Sequence, residues 1–137
     1  MFDKVLLAVD SSEHSTKAVA AAVEIAKMSG GEVLVFHVRA FLAARGGQLD
    51  VDLREEDSNI AEDVAQSLQA EGIRATGTRV AAYHGDTGMK IVEAAQQAHA
   101  DVIVMGSRGH SDIPSFLLGS VAHKVIHLAT GPVLVVR

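Results

Sequence analysis

The sequence contains no cysteine, which excludes disulfide bonds, thiolate nucleophiles and cysteine-ligated zinc. It also lacks an excess of positive charge, because 12 Lys and Arg residues stand against 17 Asp and Glu residues, for a net charge of −5. Nucleic acids and anionic membranes bind to basic surfaces, so neither is an expected partner. No apolar run approaches the roughly 18 residues of a transmembrane helix.

Low-complexity tracts, internal repeats and linkers rich in proline or serine are also missing. The 137 residues are 48% hydrophobic and 21% charged, which is ordinary for a globular domain, and we expect one domain spanning 1–137. The N-terminal residues lead directly into a strand pattern without a signal-peptide pattern. Together with the absence of cysteine, this predicts a cytoplasmic protein.

What the sequence does contain is an alternation of strand and helix patterns. Strands are predicted at Lys4–Val9, Glu32–Val38, Ile73–Val80, Asp101–Met105 and Pro132–Val136. All but the third are nearly continuous apolar runs, which is typical of strands buried on both faces of a parallel sheet. Apolar residues recur at helical spacing between them. The alternation predicts an open three-layer α/β/α fold with a parallel sheet and right-handed crossovers.

One stretch fits neither pattern. Arg39–Asp52, with Gly46-Gly47 at its centre, is predicted to be an irregular connection longer than most loops of its kind. A functional loop and a plain flexible connector both remain open for it.

The segment after the fourth predicted strand carries the strongest ligand pattern. Its glycines at 106, 109 and 119 precede Ser120 at the start of a predicted helix. Glycines leave backbone amides open to a phosphate, and a helix N-terminus attracts anions. The pattern predicts a phosphate site, and a plain turn with Ser120 as the helix N-cap is the alternative. Arg108 and His110 in the same segment would add charge or hydrogen bonds.

Other polar residues have competing interpretations. Asp10 follows the first strand and is either a ligand contact or a cap of the first helix or its turn. A receiver-type phosphorylation site is disfavoured because no aspartate follows the third strand at Val80–Tyr83. His123 and His127 have the spacing of a zinc-binding pair but no evident third ligand, which favours a surface or interface role. The Gly-x4-Gly-Lys-Ser/Thr loop of many ATPases is absent, which favours binding over hydrolysis.

Several segments together resemble the universal stress protein family. They are VLLAVDSSEHS, VFHV, GDTGMKIVEAA, ADVIVMGSRG and GPVLVV, and they extend over nearly the whole chain. The pattern Gly-x2-Gly-x9-Gly-Ser/Thr, matched by Gly106, Gly109, Gly119 and Ser120, is similar to that of the family's ATP-binding branch. The resemblance implies a five-stranded parallel sheet in the order 3-2-1-4-5 and ATP as ligand, accompanied by Mg²⁺ or Mn²⁺.

The resemblance also implies roles for individual residues. Ala8, Val9 and Met105 would contact the base, the Val38 backbone would read its edge, and Asp10 would lie near the ribose and any metal. The remaining implied residues would surround the phosphates and ribose. With Arg108 and His110 added, the predicted site comprises Ala8, Val9, Asp10, Val38, Met105, Gly106, Arg108, Gly109, His110, Gly119, Ser120 and Val121.

The expected function is that of an ATP-binding regulator or sensor in the stress response, with slow or absent hydrolysis. The closing strand Pro132–Val136 would be an apolar sheet edge, and the resemblance implies a homodimer through it. Three alternatives remain open: a protein that prefers cyclic AMP or AMP, a ligand-free protein-interaction module of the same fold, and a weak hydrolase.

Overall fold

The computed structural model describes residues 1–44, 46–50, 59–109, 114 and 117–137. Strands and helices alternate through these residues as predicted, with one additional strand after β2. In chain order the elements are β1 (Lys4–Ala8), α1 (Glu13–Ser29), β2 (Glu32–Ala44), β3 (Gly47–Asp50), α2 (Ile60–Ala70), β4 (Arg74–Tyr83), α3 (Thr87–Gln97), β5 (Val102–Gly106), α4 (Ser120–Leu128) and β6 (Val133–Val136).

The sheet is built around β1, which lies between β2 and β5 and runs parallel to both. β4 pairs with β2, and β6 pairs with β5, again in parallel. Counted over the parallel strands alone, the order is 3-2-1-4-5, which confirms the expected topology. The winding direction reverses at β1, and in open sheets ligands bind beyond the carboxyl ends of the strands at this point.

The prediction of an irregular connection over Arg39–Asp52 is wrong where the structure describes this segment. β2 continues to Ala44, and β3 returns antiparallel to it, with Ala44 opposite Gly47. The reversal relies on glycine, because Gly46 has a φ of 94° and Gly47 a φ of 148°, values that side chains disfavour. The strand continuation was missed because Arg39 interrupts the apolar run and the alanines at 40, 43 and 44 have a low strand propensity.

Both faces of the sheet are buried by helices. On β1, Val5 and Leu7 point toward α1 and α2, whereas Leu6 and Ala8 point toward α3 and α4. This alternation explains why the strands are almost continuously apolar. Full burial of a leucine contributes roughly 1.5–3 kcal/mol, so the strand that ends at the site is firmly anchored in the core.

The ends of α1 follow from local residues. The Ser12 hydroxyl accepts a hydrogen bond from the Ser15 N–H at 3.2 Å and caps the N-terminus. Gly30, with a φ of 69°, ends the helix in the left-handed conformation that glycine favours at this position. In the part of the chain that the structure describes, no helix combines the length and hydropathy needed to cross a membrane.

Candidate functional site

A cavity of about 280 Å³ opens at the carboxyl ends of β1, β2 and β5. The structure brings the predicted site residues together here, with one exception: His110 lies outside the described residues. The predicted residues that line the cavity are Ala8, Val9, Asp10, Val38, Met105, Gly106, Arg108, Gly109, Gly119, Ser120 and Val121.

One side of the cavity is built from core side chains. We name Ala8, Val38, Ile91 and Met105 the apolar wall, and none of them is more than 9% exposed. All four belong to the core cluster between the sheet and helices α3 and α4, so packing holds them in place. A surface of this kind suits a flat, weakly polar group.

The backbone of Val38 adds a polar edge to the apolar wall. The Val9 N–H donates to the Phe36 carbonyl at 2.9 Å, and β1 ends at this level. Residues two apart in a parallel strand point their N–H and C=O groups to the same edge. Val38 therefore points its N–H and C=O into the space beyond the end of β1, where a ligand edge would meet a donor and an acceptor side by side.

The other side of the cavity is built from backbone. We name Gly109, Gly119 and Ser120 the amide wall. Gly119 is the N-cap of α4, and Ser120 is the first residue of the helix itself. The alternative in which Ser120 caps this helix is therefore wrong. The Gly119 N–H donates to the Ser107 carbonyl, and the Ser107 N–H donates to the Val136 carbonyl, both at 2.7 Å. These bonds fix the position of the α4 N-terminus, whose dipole and first amides favour an anion.

The glycines of the predicted pattern are required for different reasons. A Cβ on Gly106 would lie 2.8 Å from the Cβ of His14 and 2.9 Å from its backbone carbon, so this glycine allows α1 to approach β5. A Cβ on Gly109 would instead lie 3.1 Å from Oδ2 of Asp10, a side chain that lines the cavity. Part of the glycine pattern therefore reflects helix packing rather than an open phosphate site.

Asp10 provides the carboxylate of the cavity. Its Oδ1 accepts from the Ser12 N–H at 2.8 Å, and its own N–H donates to the Ser15 hydroxyl at 2.9 Å. Because Ser12 is the N-cap of α1, Asp10 stabilises the preceding turn rather than capping the helix itself. Among the described residues there is no cluster of three metal-binding side chains. A divalent ion at Asp10 would therefore need oxygens from the ligand, an arrangement common for Mg²⁺.

His37 is a buried polar residue that lines the cavity, with 4% of its surface exposed. Its Nδ1–H donates to the Val9 carbonyl at 2.8 Å. This bond ties β2 to the residue that precedes Asp10. His37 is therefore a hydrogen-bonded core histidine at the edge of the cavity.

Sequence reasoning missed other residues that line the cavity. Phe36 and Ala40 could have been found, because they lie two residues on either side of Val38 and share its face of β2. His84 and Thr87 gave no such signal, since they reach the cavity only through the turn between β4 and α3. The full set of additional lining residues is Ser12, Ser15, Phe36, His37, Ala40, His84, Thr87, Ile91 and Ala122.

Comparison with known proteins assigns the family. The model of the universal stress protein family matches residues 1–137. The chain belongs to the universal stress protein family. It is 32% identical to the universal stress protein YxiE of Bacillus subtilis, and the match covers 100% of both chains. It is 34% identical to a universal stress protein of Thermus aquaticus, again over 100% of both chains.

Solved structures of universal stress proteins share this fold. The structure of MJ0577, from Methanocaldococcus jannaschii, has a TM-score of 0.80 at 26% identity and covers 99% of this chain and 96% of its own. A universal stress protein in complex with cAMP has a TM-score of 0.68 at 25% identity, with 98% and 97% covered. An Archaeoglobus fulgidus universal stress protein in complex with dAMP has a TM-score of 0.69 at 25% identity, with 100% and 98% covered.

Proposed function

We propose that this universal stress protein binds ATP in the cavity and acts as a nucleotide-dependent regulator or sensor in the stress response. The observation that carries the proposal is the pairing of the apolar wall with the amide wall across one cavity. A purine base suits the first wall, and a phosphate chain suits the second, because each end of the ligand meets its own chemistry. The similar structures with cAMP and dAMP support an adenine nucleotide as the ligand class.

The base end of the proposed complex uses side chains for contact and backbone for recognition. Ala8, Val9 and Met105 contact the base, and the N–H and C=O of Val38 pair with its edge. Because these backbone groups face the space beyond β1, they are available without any rearrangement of the sheet.

The phosphate end of the proposed complex uses the amide wall. Gly109 and Ser120 present backbone N–H groups to the phosphates, and Gly119, whose own N–H is bonded to the Ser107 carbonyl, adds no side chain that would block their approach. Gly106 and Val121 border the ribose and the phosphate chain. Arg108 adds a positive charge from the same segment, and we assign His110 there on its position in the sequence.

A divalent ion, Mg²⁺ or Mn²⁺, is proposed to accompany ATP. Asp10 fits this role because its Oδ1 is engaged by the Ser12 N–H, while its Oδ2 lies on the Gly109 side. The ion would neutralise phosphate charge. Asp10 is the single carboxylate among the described lining residues and is already hydrogen-bonded within its turn, so we propose that hydrolysis is slow or absent.

We also propose that the protein forms a homodimer through β6. This strand pairs with β5 on one side and is the last strand in the described sheet order. Leu134 on β6 is 40% exposed, and a second copy pairing along this edge would cover it. Light scattering at micromolar concentration should give twice the mass of the chain, and a monomer would contradict the dimer.

A second candidate, binding of cAMP or AMP in preference to ATP, is favoured by the cAMP and dAMP complexes of similar proteins. In that case the base and ribose would occupy the same positions, and the amide wall would hold a single phosphate. Competition between ATP and cAMP for one site distinguishes the two candidates through the ratio of their dissociation constants.

The test of the proposed function is a calorimetric titration of ATP, with Mg²⁺ present, into protein stripped of nucleotide. We expect about one ATP per chain with a Kd in the micromolar range or tighter, the range in which specific nucleotide sites are readily measured. Repeating the titration without Mg²⁺ reports the contribution of the ion. No detectable heat with ATP at several temperatures, together with no displacement of a fluorescent ATP analogue, would contradict the proposal.

A further inference from the structure

His84 is held at the rim of the cavity by the turn that follows β4. Its backbone N–H donates to the carbonyl of Phe41 on β2, which extends the β2–β4 pairing by one residue. Gly85, with a φ of 98°, then reverses the chain, and the Asp86 N–H donates to the Tyr83 carbonyl at 3.0 Å. The direction in which His84 leaves the sheet is therefore set by hydrogen bonds on both sides.

The strand order places His84 at the base end of the cavity. β4 and β5 are three strand positions apart in the sheet, which corresponds to about 14 Å at the usual spacing between strands. The amide wall follows β5, whereas His84 follows β4. The elements next to His84 also contribute to the cavity, with Ala40 from β2 and Thr87 and Ile91 from α3.

Among the aromatic residues that line the cavity in the described part of the chain, His84 is the exposed one. The other aromatic rings among the described lining residues belong to Phe36 and His37, and each of these residues is only 4% exposed. His84 is exposed. Imidazole rings stack on nucleobases, which present a flat π face whatever their hydrogen-bonding edge.

We propose that His84 stacks on the outward face of the nucleobase and completes the apolar wall from the solvent side. The proposal rests on the proposed nucleotide function, since it presumes a base in the cavity. It assigns the β4–α3 turn a direct part in ligand affinity. The Val38 backbone would hydrogen-bond to the edge of the base, and the His84 ring would stack on its face.

The test compares ligands with and without a base. ATP, cAMP and inorganic tripolyphosphate are titrated into the wild-type protein and into His84→Ala, His84→Phe and, as a matched control, His123→Ala. His123 is exposed on α4 and does not line the cavity. Far-ultraviolet circular dichroism verifies that each variant is folded.

The expected result is that His84→Ala weakens ATP and cAMP by about tenfold, the size of a lost base stack. Binding of tripolyphosphate should be unchanged, because it has no base. His84→Phe should restore ATP affinity to within about twofold of wild type, and His123→Ala should match wild type.

Three results would overturn the stacking role while leaving ATP binding by the wild type intact. The first is that His84→Ala binds ATP as tightly as wild type does. The second is that His84→Phe does not restore the ATP affinity lost in His84→Ala. The third is that His84→Ala weakens tripolyphosphate as much as it weakens ATP. If the wild-type protein itself binds neither ATP nor cAMP, the proposed function fails, and the stacking role fails with it.

Discussion

The two walls of the cavity are built in opposite ways. The apolar wall consists of buried side chains that also belong to the core, whereas the amide wall consists of backbone at a helix N-terminus and its glycines. With the proposed function, a residue of the apolar wall would therefore serve folding and binding at once, whereas a residue of the amide wall would serve mainly binding. Substitutions in the apolar wall should therefore lower the free energy of unfolding, and substitutions in the amide wall should lower ATP affinity.

The largest effect is expected in the apolar wall. Ile91→Ala should lower the free energy of unfolding by about 3 kcal/mol, because it removes a side chain that is 3% exposed and leaves a cavity in the core. Urea unfolding followed by circular dichroism measures the change. The matched control is Ile126→Ala on α4, where the isoleucine is 46% exposed. A loss in Ile91→Ala no larger than in the control would show that the apolar wall is independent of the core.

The next largest effect is expected in the amide wall and in binding. Gly109→Asp should weaken ATP by about a hundredfold or more, because its carboxylate would meet the Asp10 carboxylate and repel the phosphates. Calorimetric titration measures the loss. Gly131→Asp adds the same charge at a glycine with open space around it, so it should bind ATP like wild type. Unchanged ATP affinity in Gly109→Asp would contradict the proposal that the phosphates bind at the amide wall.

The smallest effect is expected for Gly106, the glycine of the pattern that allows α1 to pack against β5. Gly106→Ala should lower the free energy of unfolding by about 1–3 kcal/mol, since the new Cβ would press against the backbone of His14 on α1. Gly131→Ala meets no such contact and is the control. Thermal unfolding and ATP titration are measured on both variants. Full stability in Gly106→Ala would mean that the packing reason for this glycine is wrong.

Much of the fold could be predicted because it depends on local patterns. The nearly continuous apolar strands and the helical spacing between them predicted the parallel sheet, and the family resemblance supplied its order. The β2–β3 hairpin was missed, because Arg39 interrupts the apolar run, the alanines that follow have a low strand propensity, and the antiparallel pairing of Gly47–Asp50 depends on where β2 ends. Gly46-Gly47 was its one signal in the sequence. Alternation of apolar and polar residues identifies a strand only where one face is buried and the other is not, and a short apolar run without it is ambiguous between strand and helix.

The candidate site was predictable to the extent that it is made of loop glycines. Gly109 and Gly119 stand out in the sequence because they form a spaced pattern with Gly106 and Ser120 between a buried strand and a helix, whereas Ile91 is indistinguishable there from any other core residue. His84 carried no signal at all. Its place at the cavity depends on β4 extending to Tyr83 and on the turn at Gly85.

By itself the sequence determined the alternation of strands and helices, the glycine pattern after the fourth parallel strand, and the acidic balance that disfavours nucleic acid. These are properties of composition and spacing, and short segments of chain carry them. Only the tertiary structure decided which glycine serves packing, which core residues line the cavity, and that the Val38 N–H and C=O point beyond the end of β1. Each of these depends on contacts between segments far apart in the chain, such as Gly106 with His14, or on β1 ending before β2 does.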